Sequence, residues 1–121
     1  MTTLTEKAHT GSCLITPSNG HLSFENVTLL SGQNVEANTV LGKITATGKY
    51  AAYEPTAGDG RQTAFAIAYA AADATDGDLT IAIIKRDAEV NGDELVLPDV
   101  SPSPSLATIT TDLAAVGILV R

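Results

Sequence analysis

Hydrophobic and polar residues alternate most regularly in two stretches of the second half of the chain. Leu79–Ile84 is rich in β-branched residues and lies between turn-forming residues, which predicts a strand. Residues 64–70 alternate alanine with Phe65, Ile67 and Tyr69, so this pattern has a period of two. Such a period predicts a strand that places its large side chains on one face. Alanine also favours helices, so a helix at 64–70 is the alternative.

Shorter apolar runs predict further strands, at 40–45, 50–53, 88–90, 95–97 and 118–121. Gly48 and the pair Asn91-Gly92 are turn signals. Pro55 and Pro98 end the strands before them, because proline donates no ladder hydrogen bond.

One helix is predicted near the C-terminus. Its apolar positions recur at helical spacing at Leu106, Ile109, Leu113 and Val116. Ser105 is placed to cap its start, and Gly117 lies where a C-terminal cap belongs. The expected fold is therefore mainly β with some α+β character, made of short strands and one or two small helices.

The first part of the chain differs in character from the rest. Residues 1–22 are rich in Thr, Ser and Gly and show no sustained helix or strand period, whereas larger apolar residues begin at Phe24. We therefore expect a long, loose N-terminal arm at 1–22 and a single compact domain at 23–121. Since few arm residues are apolar, the arm is expected to be dispensable for folding. An ordinary frayed terminus is the alternative.

The composition limits the size of the core and the classes of partner. The 121 residues include 18 Ala but no Trp, 2 Phe and 3 Tyr, so large anchors are scarce and support from a partner subunit is expected. The net charge of −7 argues against binding to nucleic acid or to an anionic membrane. The chain shows neither a signal peptide nor a run of roughly 20 apolar residues, so we expect a soluble protein.

Few residues suit catalysis or metal binding. His9, Cys13 and His21 all lie in the predicted arm, which would not hold them in a reactive geometry. The acidic segment 73–78 has the wrong spacing for a calcium loop. Sequence alone leaves open a glycosidase-like carboxylate pair, although the aromatic rings typical of a sugar groove are scarce. We predict no enzymatic activity, no cofactor and no metal.

Several short segments, in their order and spacing, resemble the phage head-decoration proteins, the family of the lambda head protein D. The likeness covers about residues 24–121. Its landmarks are 40–45, 48–50, 58–60, 88–91, 95–98 and 117–121.

This resemblance implies a β-clip-like domain that forms a homotrimer. It implies that the trimer sits at threefold positions on the outside of an expanded phage head, binds the major capsid protein and stabilises the shell against the pressure of the packaged DNA. The expected location is the virion, and the host cytoplasm during assembly.

The resemblance also gives the arm the role of binding the capsid. The arm residues expected to take part are Leu4, Thr10, Leu14, Ile15, Thr16 and Pro17. A competing interpretation is a small β-rich ligand-binding or adhesive domain without catalysis. A pocket with converging polar groups would support that interpretation.

Overall fold

The computed structural model describes residues 9–16, 23–97 and 106–121. Within these ranges the chain is mainly β, as predicted. The ten strands are β1 (Leu14–Thr16), β2 (Phe24–Leu29), β3 (Asn34–Val35), β4 (Val40–Lys43), β5 (Tyr50–Ala52), β6 (Ala66–Ala68), β7 (Ala72–Asp73), β8 (Leu79–Ile84), β9 (Ala88–Val90) and β10 (Ile118–Val120). The helices are a 3₁₀ turn at Gly92–Glu94 and α1 (Leu106–Ala115).

Five strands form a sheet that closes on itself, in the order β2-β5-β4-β6-β8. Antiparallel pairing dominates, and β2 and β8 pair along their whole length. One buried cluster fills this closed sheet and includes Leu41, Ala66, Ala68 and Ile83. Successive side chains of a strand point to opposite faces. The residues that alternate with these interior residues along the strands therefore point outward.

The outward-pointing residues of the same strands form a second core. Val40, Ile67 and Ile84 belong to a cluster that also contains Ile109 of α1 and Val90 of β9. A three-stranded sheet in the order β1-β9-β10, together with α1, therefore covers the wall formed by β4, β6 and β8.

Most of the predicted elements are present. The strand predicted at Leu79–Ile84 is β8, the alternation at 64–70 produces β6, and the predicted helix is α1. Gly117 has φ +86° after the helix, which suits a C-terminal cap. The turn expected at Asn91-Gly92 is a 3₁₀ turn, which Asn91 caps by accepting a hydrogen bond from the Asp93 N–H (3.0 Å).

Some predictions fall outside the described residues or are not tested. Ser105 and Pro98 lie outside the described ranges, and the β-clip likeness stays a prediction. The division of the chain at residue 22 also stays a prediction. Part of the predicted arm nevertheless packs on the domain, because β1 pairs with β9 and the Cys13 side chain is fully buried.

The loop around residue 60 crosses β4 at close range. A Cβ atom added at Gly42 would lie 2.3 Å from Arg61 Cα, a distance that no folded protein tolerates without movement. The atom in the way belongs to the backbone, so the loop itself would have to shift. Glycine at position 42 is therefore required by packing.

We predict that Gly42→Ala lowers the free energy of unfolding by about 1–3 kcal/mol, because the added methyl group overpacks the contact with Arg61. Chemical denaturation measures the change. Gly58→Ala is the matched control, since a Cβ there meets nothing within 4 Å. Equal stability of the two variants would show that the loop gives way at little cost.

Candidate functional site

The N-terminal segment at residues 9–16 is fastened to the domain mainly by backbone hydrogen bonds. The Gly11 N–H donates to the Tyr69 carbonyl (2.7 Å), and the Asn91 N–H donates to the Cys13 carbonyl (2.7 Å). β1 then pairs with β9 in antiparallel fashion. These contacts use main-chain atoms, and the side chains of Cys13 and Leu14 add apolar contacts with the outer core cluster.

Asn38 joins this segment to the rest of the protein. Its side chain is fully buried, accepts a hydrogen bond from the Cys13 N–H (3.4 Å) and donates to Ser12 Oγ (2.5 Å). Its backbone N–H donates to the Ala68 carbonyl (2.9 Å), and its carbonyl accepts from the Val96 N–H (2.9 Å). With φ at +69°, Asn38 adopts the left-handed conformation that asparagine tolerates better than most residues.

The outer face of the three-stranded sheet exposes two large apolar side chains. Ile15 is 52 % exposed and Leu119 is 48 % exposed. Leu119 lies beside Glu89 on the neighbouring strand, and the register shift between Leu14 and Thr16 pairs Thr16, the residue after Ile15, with the same glutamate. Glu89 forms an ion pair with Arg121 (2.5 Å). We call Ile15, Glu89, Leu119 and Arg121 the outer sheet face.

β1 also has an open edge. It pairs with β9 on one side, and no other strand of the described residues pairs with it on the other. The Leu14 N–H of β1 donates to the Gly11 carbonyl (3.0 Å), so a further strand at this edge would pair with the backbone groups that follow it. The open edge and the outer sheet face meet at Ile15.

The six residues predicted to contact a capsid are only partly brought together. Leu4 and Pro17 lie outside the described residues. Thr10 is exposed, and the other three form β1. Leu14 packs against the outer core cluster, whereas Ile15 faces solvent.

Leu119 is an exposed residue that the sequence analysis did not single out. It lies in an apolar run at the C-terminus, for which the pattern predicts a strand at 118–121. The alternation within Ile118–Val120 was the available signal, because a strand at the surface exposes every second side chain.

Cys13 does not have the properties of a reactive cysteine. Burial raises the pKa of its thiol to about 11, and the charge of Glu94 adds a smaller increase. The thiol is therefore protonated near neutral pH, and the thiolate is the nucleophilic form. His21 lies outside the described residues.

The acidic segment 73–78 forms a structured turn. Asp73 accepts hydrogen bonds from the Thr75 hydroxyl and from the Thr75 N–H (3.0 Å), and these bonds lower the pKa of its carboxyl group. Lys49 pairs with Asp78 (2.6 Å) and lowers the pKa of that carboxyl group. Among the described residues, no group of three or more His, Cys, Asp or Glu is arranged to hold a metal ion.

No helix in the described ranges has the length and apolar character needed to cross a membrane.

Comparison with protein families identifies a class of viral structural protein. The family model of bacteriophage lambda head decoration protein D matches residues 3–118, almost the whole chain. The chain therefore belongs to the family of phage lambda head decoration protein D, a family of structural head proteins that decorate the phage capsid. A search of individual curated proteins gave no match.

We predict that Asn38→Gly lowers the free energy of unfolding by about 1–3 kcal/mol, because the buried Cys13 N–H loses its acceptor. Glycine keeps the left-handed backbone, so the effect isolates the side chain. Asn34→Gly, at an exposed position, is the control for added backbone freedom. An Asn38→Gly variant as stable as Asn34→Gly would show that this side chain does not fasten the N-terminal segment.

We also predict that alkaline pH weakens the fold through Cys13. Folding raises the pKa of the thiol from its ordinary 9.0 to about 11. The stabilisation from the neutral thiol is therefore complete below pH 9 and is lost as the pH rises to 11. Over that interval the free energy of unfolding should fall by about 2 kcal/mol more in the natural protein than in Cys13→Ala.

Denaturant titrations of both proteins at several pH values measure this difference. The two proteins differ only at position 13, so the comparison isolates the effect of the thiol. Parallel pH profiles would show that the thiol is solvated in the folded state.

Proposed function

We propose that this protein decorates the outer surface of an expanded phage head as a trimer at threefold positions. In this role it binds the major capsid protein and stabilises the shell against the pressure of the packaged DNA. Membership of the head decoration family supports attachment to a phage capsid. The scarcity of large aromatic residues in the core supports a need for neighbouring subunits.

The attachment surface is the open edge of β1 together with the outer sheet face. The single observation that carries this proposal is the position of Ile15, which is half exposed at the point where edge and face meet. A strand of the capsid shell that pairs with the free edge satisfies backbone groups of both partners. Apolar side chains of that strand then cover Ile15 and Leu119, which lie roughly 10 Å apart by ordinary strand spacing.

Leu4, Thr10 and Pro17 extend the same contact along the predicted arm at 1–22. Each subunit gains modest affinity from a short strand, but three subunits held together engage the shell at once. The second and third contacts are then intramolecular, which raises the overall affinity by orders of magnitude. A trimer also spans several capsid subunits and so resists their separation.

We predict that Ile15→Asp abolishes stable binding to expanded heads that lack their decoration protein, with little change in melting temperature. The substitution places a charge in the contact, whereas in the free protein the position is exposed to water. Co-sedimentation with the heads measures binding, and thermal unfolding measures stability.

Leu106→Asp is the matched control. Leu106 is exposed to a similar extent, 41 %, but it lies at the start of α1. It approaches Gly92 on the side of the sheet where Val120 packs, away from the outer face. Normal binding by Ile15→Asp, or equal loss in both variants, would refute attachment through the outer sheet face.

A further inference from the structure

Strand β8 has an edge that its neighbours leave partly unpaired. It pairs with β2 along its whole length on one side, whereas β6 pairs with it on the other side only at Ile83 and Ile84. The chain after β6 makes one further bond to it, in which the Tyr69 N–H donates to the Ala82 carbonyl (3.3 Å). The chain then leaves β8, and Ala72–Asp73 pairs with β3 instead.

The hydrogen bonds show which backbone groups of β8 point to this edge. In antiparallel pairing the N–H and carbonyl of one residue point to the same side, and successive residues alternate. The Lys85 N–H donates to the Ser23 carbonyl (2.8 Å) next to β2, so the odd-numbered residues of β8 face β2. The even-numbered residues face the other side. Among the described residues, no backbone group there pairs with Thr80 or with the Ala82 N–H.

A groove lies along this edge. It has a volume of about 330 Å³ and is lined by residues 70–73 and 79–82. Residues 70, 71 and 72 are all alanine, and Thr80 and Ala82 are exposed. Small side chains let another backbone approach β8 closely, as strand pairing requires. We call this site the β8 groove.

The N-terminal segment enters the domain beside the β8 groove. Tyr69 lies opposite Ala82, yet its carbonyl accepts a hydrogen bond from the Gly11 N–H (2.7 Å) and not from Ala82. Gly11 also lies against the Tyr69 ring, because a Cβ added to it would come within 2.7 Å of that ring. Ala70, the residue that follows Tyr69, already lines the groove. The chain before Gly11 therefore starts next to the unpaired edge.

Residues 2–8 precede this point and suit a strand. Thr2, Thr3 and Thr5 are β-branched, and Leu4 adds one large apolar side chain. An extended segment of this length spans roughly 23 Å, which exceeds the edge from Thr80 to Ala82. Because the segment is tethered at Gly11, its pairing with β8 is intramolecular and needs little intrinsic affinity.

We propose that residues 2–8 add to the unpaired edge of β8 as a further strand in the free protein. This pairing gives partners to the backbone groups of Thr80 and to the Ala82 N–H. It also covers an edge that would otherwise attract strands of other chains. The inference concerns the free protein and does not rest on the proposed function. The contact proposed between Leu4 and the shell then begins when the segment leaves the groove.

Amide hydrogen exchange, measured residue by residue with nuclear magnetic resonance, tests this pairing. The full chain is compared with a variant that lacks residues 2–8. We expect the amides of Thr80 and Ala82 to exchange roughly tenfold faster or more in the deletion variant, because their hydrogen-bond partners are gone. The amides of Ile81 and Ile83 face β2, so they are the internal control and should exchange alike in the two proteins.

A variant with glycine at all positions from 2 to 8 keeps the length of the chain. It should exchange like the deletion variant, because glycine disfavours strands. Equal exchange of Thr80 and Ala82 in the full chain and the deletion variant would overturn the proposal. Equal acceleration at Ile81 and Ile83 would also overturn it, since the segment would then support the whole sheet and not one edge.

A dilution series of the full chain separates pairing within one chain from pairing between copies. Intramolecular pairing does not depend on concentration, so the protection of Thr80 and Ala82 should stay constant on dilution. Protection that disappears on dilution would show that a second copy fills the β8 groove, and the proposed pairing within one chain would be wrong.

Discussion

The narrow interior of the closed sheet constrains the rest of this structure. A sheet of five strands encloses little space, so the inward positions of β6 are Ala66 and Ala68. The position between them points outward and carries Ile67, which contributes to the second core. One alternating strand thus serves two cores of different size. This arrangement accounts for the alternating alanines of β6, whereas neighbouring strands fill the interior with larger residues such as Leu41 and Ile83.

The pattern of hydrophobic and polar residues is sufficient to predict those elements in which buried and exposed positions recur at a regular spacing. β8 alternates buried Ile81 and Ile83 with exposed Thr80 and Ala82, and α1 buries Ile109 and Leu113 at helical spacing, so both leave a clear periodicity in the sequence. β1 leaves no such signal, because it is three residues long and is held mainly by backbone hydrogen bonds. Its pairing with β9 joins residues more than 70 positions apart.

The candidate site was predictable only in part for the same reason. Ile15 was identified through its place in the predicted arm, yet its packing beside β9 depends on contacts that the sequence does not display. Asn38 was not identified, since one asparagine in a polar stretch resembles any turn residue until its neighbours in space are known. Leu119 was predicted to lie in a strand but was not identified as exposed, because exposure at an apolar position depends on which side of the sheet the core occupies.

The short, irregular form of β1 has a consequence for solubility. A long, flat edge strand readily joins its counterpart on another molecule and starts a continuous sheet. β1 has only three residues, and its register shifts between Leu14 and Thr16, so two copies cannot align a regular ladder along it. The edge can thus stay open at high concentration without causing fibrous aggregation. It pairs poorly with β1 of another molecule and better with a strand whose shape matches the irregularity.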